Sequence, residues 1–408
     1  MSEAAGRAPR VLVVNTGSSS LKYRLVEPDG GAVAARGLVE RIGGEGGRLE
    51  HHRLHGDGTD DVHEVDGPFA DHAAALGAVL DAFAKAGPDL AGGGLVAVGH
   101  RVVHGGRRFR DPVLVDDDVL AAIDDLAVLA PLHNPANASG IRVARAALPH
   151  VPHVAVFDTA FHATLPSRAA TYAVPRQWRD ELDVRRYGFH GTSYAHVSRE
   201  AARLLGRRPE ETNLVVLHLG NGASACAVEG GRSVDTSMGM TPLAGLVMGT
   251  RSGDVDPALP AHLGRVAGLS AQDVDDALNG RSGLLALAGV SDVREVTERA
   301  DAGDSDAVEA LDVYCYRIRG YVGAYLAALG RVDAVVFTAG VGENSAVVRA
   351  RSLAGLERFG IVVDPARNAA SGRGARTVSP DGAQVDVLVV PTDEEREIAR
   401  QALAVARD

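Results

Sequence analysis

The feature that most constrains the fold is a short pattern that occurs twice, about 200 residues apart. In the first copy an apolar run at 11–14 leads into a glycine- and serine-rich turn at 15–20, and a second extended run follows at 21–26. In the second copy the corresponding segments are 214–217, 218–224 and 225–229. Apolar runs bounded by glycine and serine predict strand, turn and strand. A repeat at this spacing predicts two domains of one fold, each beginning with a hairpin.

The rest of the chain alternates between strand-like and helix-like segments. Further strands are predicted at 95–98, 154–157, 332–337 and 385–390, and helices at 73–86, 119–126, 195–205, 306–329 and 393–407. This alternation predicts an α/β fold with mixed sheets covered by helices. A strand ends near Asp158, so the domain break is placed there. The predicted domains are 1–160 together with 392–408, and 161–391.

Composition excludes several classes of protein. The 408 residues are 46% hydrophobic and 23% charged, which is typical of a globular protein and long enough for two domains. The chain contains no apolar run of about 18 residues and no apolar leader after Met1, so no membrane association is expected. The two cysteines are too few for a disulfide framework and favour the cytoplasm. The net charge of -11 argues against a nucleic-acid partner.

The composition of the repeated turn suits it to bind an anion. Backbone N–H groups in a glycine- and serine-rich turn can bind phosphate oxygens, and Ser18, Ser20 and Lys22 add donors and a charge. A plain hairpin turn is the alternative, but the second copy favours a nucleotide site. A third glycine-rich turn is predicted at 337–344; it lacks the Gly-Lys-Ser/Thr ending of a P-loop and the third glycine of a dinucleotide fingerprint. A histidine-rich stretch at 43–67 is interpreted as a solvated hairpin or loop, with a metal site as the alternative.

Eight motifs, the two repeated turns among them, are together specific for one family. The chain resembles the acetate kinase (acetokinase) family, within the superfamily of sugar kinases, actin and heat-shock ATPases. The resemblance runs through most of the chain and rests on the motifs NTGSSSLK at 15–22, GHRVVHGG at 99–106, LAPLHNP at 129–135, FDTAFH at 157–162, YGFHGTS at 187–193, HLGNG at 218–222, GTRSGD at 249–254 and PTDEE at 391–395.

The resemblance implies a fold, a reaction and partners. The fold would be a duplicated actin-like (ribonuclease H-like) α/β fold, two domains with an interdomain cleft. The reaction would be reversible, direct in-line transfer of a phosphoryl group from ATP to acetate, giving acetyl phosphate and ADP. Mg²⁺ is the expected cofactor, with Mn²⁺ as an alternative. The protein would be a homodimer, with the nucleotide site and the dimer interface in the second domain.

A small carboxylate needs a cation and an apolar slot for one methyl group. Arg101 is expected to clamp the carboxylate with its planar guanidinium. The resemblance assigns the methyl slot to four residues, for which ordinary core packing is the alternative: Val103, Leu132, Phe189 and Pro242.

Phosphoryl transfer needs positive charge from the protein to neutralise the equatorial oxygens of the transferred group. By resemblance, His190 and Arg251 supply this charge; a buried structural histidine and a surface ion pair are the alternatives. The family often labels Asp158 a proton donor or acceptor. Acetate is already ionised at pH 7, so Asp158 is instead expected to orient Arg101 or a metal-bound water.

The remaining predicted site residues bind metal and nucleotide. The metal ligands are Asn15 and Glu394, although Glu394 could simply be an acidic residue at a helix N-terminus. The predicted ATP-binding residues, carried over by resemblance, are Ser18, Ser20, Lys22, His218, Leu219, Gly220, Asn221, Gly222, Asp292, Val293, Arg294, Gly340, Val341, Gly342, Glu343 and Asn344.

Two other functions remain open at this point. A propionate or butyrate kinase would share every motif, since one methylene changes specificity by only about 1–3 kcal/mol. A non-transferring, actin-like ATPase module would share the duplicated hairpins. It would not need Arg101, His190 and Arg251 together, and its ATP hydrolysis would not respond to an added acid.

Overall fold

The strands are arranged in two mixed sheets. A computed structural model describes residues 8–28, 30–90, 94–372 and 374–407. The strands in these ranges are β1 Arg10–Thr16, β2 Ser20–Val26, β3 Val33–Glu40, β4 Gly47–Leu54, β5 Asp60–Gly67, β6 Leu95–Val102, β7 Val113–Leu114, β8 His153–Phe157, β9 Asn213–Leu219, β10 Ala223–Glu229, β11 Arg232–Thr236, β12 Ala334–Thr338, β13 Arg376–Thr377 and β14 Asp386–Val389.

The helices flank these sheets and connect their strands. They are α1 His72–Ala86, α2 Asp117–Asp125, α3 Asn134–Ala147, α4 Ser167–Ala170, α5 Arg176–Glu181, α6 Gly191–Leu204, α7 Leu259–Ala267, α8 Ala271–Gly280, α9 Gly283–Ala288, α10 Val293–Asp301, α11 Ser305–Leu329, α12 Ala339–Asn344, α13 Ala346–Leu353, α14 Pro365–Ala369 and α15 Glu394–Arg407. In the ranges that the structure describes, none of these helices has the length and apolar character needed to cross a membrane.

The chain divides into two compact units. The first contains Met1–Ala160 and Asp393–Asp408, and the second contains Phe161–Thr392. Thr392 was predicted to belong to the first domain and instead groups with the second unit. Its N–H donates to Glu343 Oε1 at 3.2 Å, and its hydroxyl lies 2.8 Å from Ser193 Oγ.

Both sheets contain the same six-strand pattern. The first sheet has the order β5-β4-β3-β2-β1-β6-β8-β7, and the second has β11-β10-β9-β12-β14-β13. In each, the opening hairpin is antiparallel, and its first strand pairs in parallel with a later strand. Each sheet also ends in a short antiparallel edge strand, β7 or β13. The predicted α/β class and the predicted repeat are therefore confirmed, and the first sheet adds β4 and β5.

The final helix, α15, covers one face of the first sheet. Ile398, Ala399, Ala402 and Leu403 are buried together with apolar residues of β1, β6 and β8. At Gly99 on β6, a Cβ atom would lie 2.9 Å from Ile398 Cγ2, so glycine is what allows this close approach. This packing places the N-terminus of α15 near the ends of β1 and β6.

The histidine-rich stretch forms the antiparallel pair β4 and β5, as the hairpin interpretation predicts. Its side chains are not all solvated. His51 is fully buried, with Nδ1 at 2.6 Å from Tyr23 OH and Nε2 bonded to the Gly87 carbonyl.

Two local predictions were wrong. Helix α6 begins at Gly191 rather than at 195, because His190 adopts a left-handed conformation (φ 59°) and the helix starts immediately after it. The third glycine-rich segment forms the short helix α12 rather than a turn. Its carbonyls are satisfied within and beyond the helix: Ser345 N–H donates to Val341 O, and the guanidinium of Arg349 donates to the carbonyls of Gly342 and Glu343.

Candidate active site

Arg101 and Asp158 form a fork-shaped ion pair at the carboxyl edge of the first sheet. Arg101 lies on β6 and Asp158 follows β8, its parallel neighbour. Arg101 Nε donates to Asp158 Oδ2 at 3.0 Å and Oδ1 at 3.2 Å, and Nη2 donates to Oδ2 at 2.5 Å. Asp158 is only 1% exposed, so the guanidinium replaces water around its charge. Burial alone would lower the pKa of Arg101, but the carboxylates of Asp158 and Glu394 raise it above its ordinary value.

Glu394, the first residue of α15, lies in the electrostatic field of this pair. Burial raises the pKa of Glu394 to about 7; Arg101 opposes that rise and Asp158 adds to it. The carboxylate of Glu394 makes no hydrogen bond or ion pair with a residue in the described ranges, and neither does the side-chain amide of Asn15. Asn15 follows Val14, which pairs with His100 on β6, so Asn15 and Arg101 lie at the same sheet edge.

Asn15 and Glu394 fit a magnesium ion in type. Both offer uncommitted oxygen atoms, and Mg²⁺ binds proteins through one or two such ligands while keeping waters and substrate phosphates. A divalent cation would also offset the repulsion between the buried carboxylates of Glu394 and Asp158. No group of three or more His, Cys, Asp or Glu side chains in the described ranges could hold a metal ion, so the protein does not provide a closed metal cage in this part of the chain.

Hydrogen bonds within the turn and from helix α1 hold the first hairpin in place. Gly17 N–H donates to Ser20 O at 2.8 Å, and Gly17 O accepts from His72 Nε2 at 2.8 Å. Ser18 is exposed at the tip of the turn. Lys22 lies opposite Asn15 in the strand pair, and its Nζ is 2.5 Å from Glu395 Oε1. The ammonium has three N–H donors, so it could contact a phosphate while it keeps this ion pair.

The predicted methyl-slot residues of the first unit differ in exposure. Val103 is half-buried, and its N–H donates to Asn137 Oδ1 at 3.1 Å. Leu132 is 76% exposed, so this side chain is not part of the core of its unit.

In the second unit, His190 and His218 stack on one another. Their ring centroids are 4.1 Å apart, and the rings are inclined by 19°. His190 precedes α6, and His218 lies on β9 of the second hairpin. Each Nδ1 atom has a serine hydroxyl at 2.8 Å, Ser224 for His190 and Ser193 for His218. The orientation of both rings is therefore fixed by hydrogen bonds.

Arg251 reaches the same hairpin from another loop. A Cβ atom on Gly222 would lie 3.6 Å from Arg251 Nη1 and 3.7 Å from His190 Nε2, so both side chains border the tip of the turn. Arg251 Nη1 donates to the Pro242 carbonyl at 3.2 Å. In the described ranges no carboxylate lies within ion-pairing distance of Arg251, and burial alone lowers its pKa. A guanidinium remains charged under these conditions and lacks a protein counterion here.

Hydrogen bonds between residues near its two ends close the loop that carries Arg251. Asp254 N–H donates to Gly245 O at 3.0 Å, and Gly245 N–H donates to Asp254 Oδ1 at 2.7 Å. Tyr321 on α11 donates to Asp254 Oδ2 at 2.5 Å. The loop also meets the hairpin, since Gly249 N–H donates to Asn221 O at 3.1 Å.

The other two methyl-slot residues of the prediction belong to the second unit. Phe189 is 3% exposed, and its carbonyl accepts from His162 Nε2 at 2.9 Å. Pro242 has a role that the sequence did not suggest, because its carbonyl holds Arg251.

Within the second unit, the predicted nucleotide residues fall into three segments. In the second hairpin, Leu219 is fully buried and can offer a ligand only its backbone. The start of α12 adjoins this hairpin: a Cβ atom on Gly220 would lie 3.8 Å from Ala339 Cβ. Glu343 accepts from Thr392 N–H, and its pKa is raised by burial. Val341 and Asn344 lie on α12 as well, and Asn344 Nδ2 donates to the Gly340 carbonyl.

The third segment is the start of α10. Asp292 caps this helix by accepting from Arg294 N–H at 2.8 Å, and it also pairs with the Arg294 guanidinium. These bonds lower the pKa of Asp292 to about 2. Val293 is buried, whereas Arg294 is exposed.

Sequence reasoning missed the residues that hold the two histidines. Ser193, Ser224 and Tyr194 carry no motif of their own, and their partners lie 25 to 34 positions away in the chain. The only available signal was their position inside or beside the motifs at 187–193 and 218–222.

Comparison with known proteins places these motifs in one family. Residues 10–400 match the acetokinase family. The chain belongs to the acetokinase family. Members of this family are kinases that transfer phosphate to a carboxylate acceptor, so the predicted family and enzyme class are confirmed.

The similarity to family members extends over nearly the whole chain. An acetate kinase of Clavibacter sepedonicus is 60% identical over 396 residues, which cover 97% of this chain and 99% of the relative. The crystal structure of the Porphyromonas gingivalis acetate kinase has a TM-score of 0.92 at 41% identity and covers 98% of this chain and 100% of that one. A propionate kinase structure from Francisella tularensis has a TM-score of 0.89 at 38% identity, covering 97% and 100%. These matches confirm the predicted fold of the family.

Proposed function

We propose that the protein is an acetate kinase that transfers the terminal phosphoryl group of ATP to acetate, reversibly, giving acetyl phosphate and ADP. One observation carries the proposal: Arg251 has no carboxylate partner in the described ranges and meets His190 at the tip of a glycine hairpin. A desolvated guanidinium without a counterion is a binding site for an anion, and glycine leaves the backbone N–H groups accessible. Membership of the acetokinase family supports this reading.

Arg101 would hold the acetate carboxylate. A guanidinium has five N–H donors, and those on Nε and Nη2 already engage Asp158. The N–H groups on Nη1 make no hydrogen bond within the described ranges. Asp158 then fixes the plane of the guanidinium and keeps it charged. Acetate is ionised at neutral pH, so the reaction needs no base to activate it, and Asp158 acts as a positioning residue.

Arg251 and His190 would stabilise the negative charge of the transferred phosphoryl group. The transition state of such a transfer spreads negative charge over three equatorial oxygens, and fixed donors that face these oxygens lower its free energy. Arg251 supplies a full positive charge and His190 a directed N–H. When bound by Asn15 and Glu394, Mg²⁺ would neutralise charge on the nucleotide phosphates; Mn²⁺ has the same preference for oxygen ligands.

The nucleotide would lie on the glycine-rich segments. We propose the backbone N–H groups of 218–222 for the phosphates, with Ser18, Ser20 and Lys22 as further phosphate donors. The segments 292–294 and 340–344 would contact the base and ribose. The supporting observation is that the hairpin, the 249–251 loop and the start of α12 adjoin one another within the second unit.

Propionate is the second candidate acceptor, because a solved propionate kinase has a closely similar fold. Initial rates with acetate, propionate and butyrate at saturating ATP and Mg²⁺ would rank the acids by kcat/KM. Acyl phosphate, trapped as its hydroxamate, should form only when acid, ATP and Mg²⁺ are all present, and fastest with acetate. ATP hydrolysis that ignores added acid would instead support a non-transferring ATPase, and a preference for propionate would reassign the acceptor.

We also propose a cytoplasmic homodimer. Two buried, free cysteines, Cys226 and Cys315, fit a reducing compartment. The second unit exposes large aromatic side chains, including Tyr316 and Phe359, which are available to an interface. Light scattering coupled to size exclusion would give the mass of the particle in solution.

A further inference from the structure

The hydrogen bonds around His190 define its tautomer. Ser224 Oγ is 2.8 Å from His190 Nδ1 and 2.5 Å from Tyr194 OH. Ser224 and Tyr194 are both fully buried. Each hydroxyl must therefore find its acceptor among these three groups, because water does not reach them and no other described residue bonds to either hydroxyl.

Only one arrangement satisfies both hydroxyl hydrogens. If Tyr194 donates to Ser224, then Ser224 donates to His190 Nδ1, and each hydrogen has an acceptor. If Ser224 donated to Tyr194 instead, the phenol hydrogen would have no acceptor. If His190 Nδ1 carried a proton, then both His190 and Tyr194 would donate to Ser224 Oγ. The serine hydrogen would then have no acceptor. Buried polar hydrogens are rarely left unpaired, so the first arrangement is favoured.

We propose that Tyr194 and Ser224 form a hydroxyl relay that holds His190 as the neutral imidazole with its proton on Nε2. Nε2 is the atom that borders Gly222, with the guanidinium of Arg251 on the same side. His190 then presents a directed N–H donor where phosphate oxygens would lie. The suggested use of the Nε2 proton rests on the proposed function. The measurement of the tautomer does not depend on that function.

The surroundings support a neutral ring. Burial holds the pKa of Tyr194 well above its ordinary value, so the phenol stays protonated and can donate. Within the second unit, the Arg251 guanidinium borders the same glycine as His190 Nε2, and the His218 ring stacks on the His190 ring. A second cation beside Arg251 would be repelled, which favours the uncharged imidazole. An imidazole that only donates needs no proton exchange during the transfer.

The decisive measurement is the tautomer itself. Long-range proton–nitrogen correlation spectra of the whole protein, labelled with ¹⁵N in histidine and free of substrates, distinguish bare from protonated ring nitrogens. The His190 signals are identified by their loss in His190→Gln. The expected result is a bare Nδ1 and a protonated Nε2 near pH 7. A proton on Nδ1 would overturn the proposal. This spectrum can succeed or fail whatever the acyl phosphate assay shows.

Variants test the catalytic consequence. Ser224→Ala should lower kcat about 10- to 100-fold with little change in the KM for ATP or acetate, because binding groups remain while the donor loses its orientation. It should also produce a mixture of His190 tautomers. Tyr194→Phe should cost less, since Ser224 can still donate. Tyr314→Phe is the matched control: this tyrosine is buried too, and its hydroxyl has no hydrogen-bond partner among the described residues.

Two outcomes of the variant series would contradict the relay. One is wild-type kcat and an unchanged tautomer in Ser224→Ala. The other is an equal loss in Tyr194→Phe and Tyr314→Phe, which would indicate a general effect of altering a buried tyrosine. If Ser224→Ala does not fold, the wild-type spectrum and the pair of tyrosine variants still decide the question.

Discussion

Arg101 engages Asp158 through two of its nitrogens, whereas Arg251 engages only a backbone carbonyl and a methionine sulfur in the described ranges. Two arginines predicted for one reaction therefore have different electrostatic environments. The charge of Arg101 is balanced by a buried carboxylate that also fixes its plane. The charge of Arg251 is unbalanced, which suits a group whose partner is a phosphate.

This difference predicts different kinetic effects. Arg101→Lys keeps the charge but loses the fork, so the KM for acetate should rise about tenfold with a smaller change in kcat. Arg251→Lys should lower kcat about 100-fold with the KM for acetate nearly unchanged, because the lost interaction forms mainly in the transition state. Steady-state kinetics in the acyl phosphate-forming direction measures both. A loss confined to ATP affinity in both variants would show that the roles are wrong.

Gly222 offers a test of where the phosphate lies. Its backbone does not need a positive φ, and an added Cβ would meet Arg251 and His190 only at ordinary contact distances. Gly222→Ala should therefore fold with an unchanged Tm yet lose kcat by about 100-fold, since the methyl group would displace a phosphate by about 1 Å or more. Gly77→Ala is the control, because a Cβ there meets nothing within 4 Å and Gly77 has no predicted role in the site. Full activity in Gly222→Ala would move the phosphate away from this hairpin.

Tyr321 is predicted to matter through the Arg251 loop. Its hydroxyl donates to Asp254, which closes that loop. Tyr321→Phe should lower kcat about three- to tenfold and leave the KM for acetate unchanged, because Arg251 loses part of its support. Tyr325→Phe, one helical turn away, removes a buried hydroxyl that has no hydrogen-bond partner in the described part of the chain, and it should be silent. Equal effects in the two variants would assign the loss to helix α11 rather than to the loop.

Arg349 is a buried arginine whose guanidinium donates to backbone carbonyls and to one side-chain amide. The free energy of unfolding should therefore depend on these partners. Arg349 Nε donates to Asn368 Oδ1 at 2.7 Å, and burial lowers the pKa of Arg349 to about 10. Asn368→Ala should reduce the free energy of unfolding by about 2–3 kcal/mol, because a buried charged donor loses its acceptor. Urea denaturation measures this change. Gln272→Ala, at an exposed helix position, should cost under about 0.5 kcal/mol.

The pair His100 and His153 predicts loss of stability in mild acid. Burial lowers the pKa of both rings, and His100 Nε2 lies 2.9 Å from His153 Nδ1. The unfolded chain binds protons below a pH of about 6.5, while the folded chain resists them, so the free energy of unfolding should fall as the pH drops from about 7 to 5. The slope should approach about 1.4 kcal/mol per pH unit for each ring.

Urea denaturation at several pH values, compared between wild type and His153→Gln, measures that slope. The variant should show a flatter dependence because one buried titrating ring is gone. His262→Gln, which changes an exposed histidine, should follow the wild type. An unchanged slope in His153→Gln would mean that other groups control acid stability.

Much of the fold could be predicted because its signals are local. The apolar runs of β1, β2, β9 and β10 and the turns between them are short-range patterns, so the repeated hairpins were visible in the sequence. The glycine-rich segment at 339–344 was misread because glycine indicates a turn, whereas Arg349 and the helix's own bonds satisfy its carbonyls. That stabilisation comes from a residue outside the segment.

The site was only partly visible for a related reason. Family motifs named Arg101, His190 and Arg251, but the hydrogen bonds that orient them join residues 9 to 57 positions apart. Whether an arginine has a counterion depends on tertiary packing, which composition and spacing do not encode. Ser224 and Tyr194 could not be selected from the sequence because serine and tyrosine are common in strands and helices.

The cover that α15 provides for β1, β6 and β8 has a consequence for biosynthesis. A growing polypeptide exposes those three strands long before the ribosome reaches Ile398 and Leu403, which complete their apolar contacts. The first unit therefore cannot finish folding during translation ahead of the second, as N-terminal domains generally do. Its exposed sheet face must be tolerated, or shielded by a chaperone, until α15 has been synthesised.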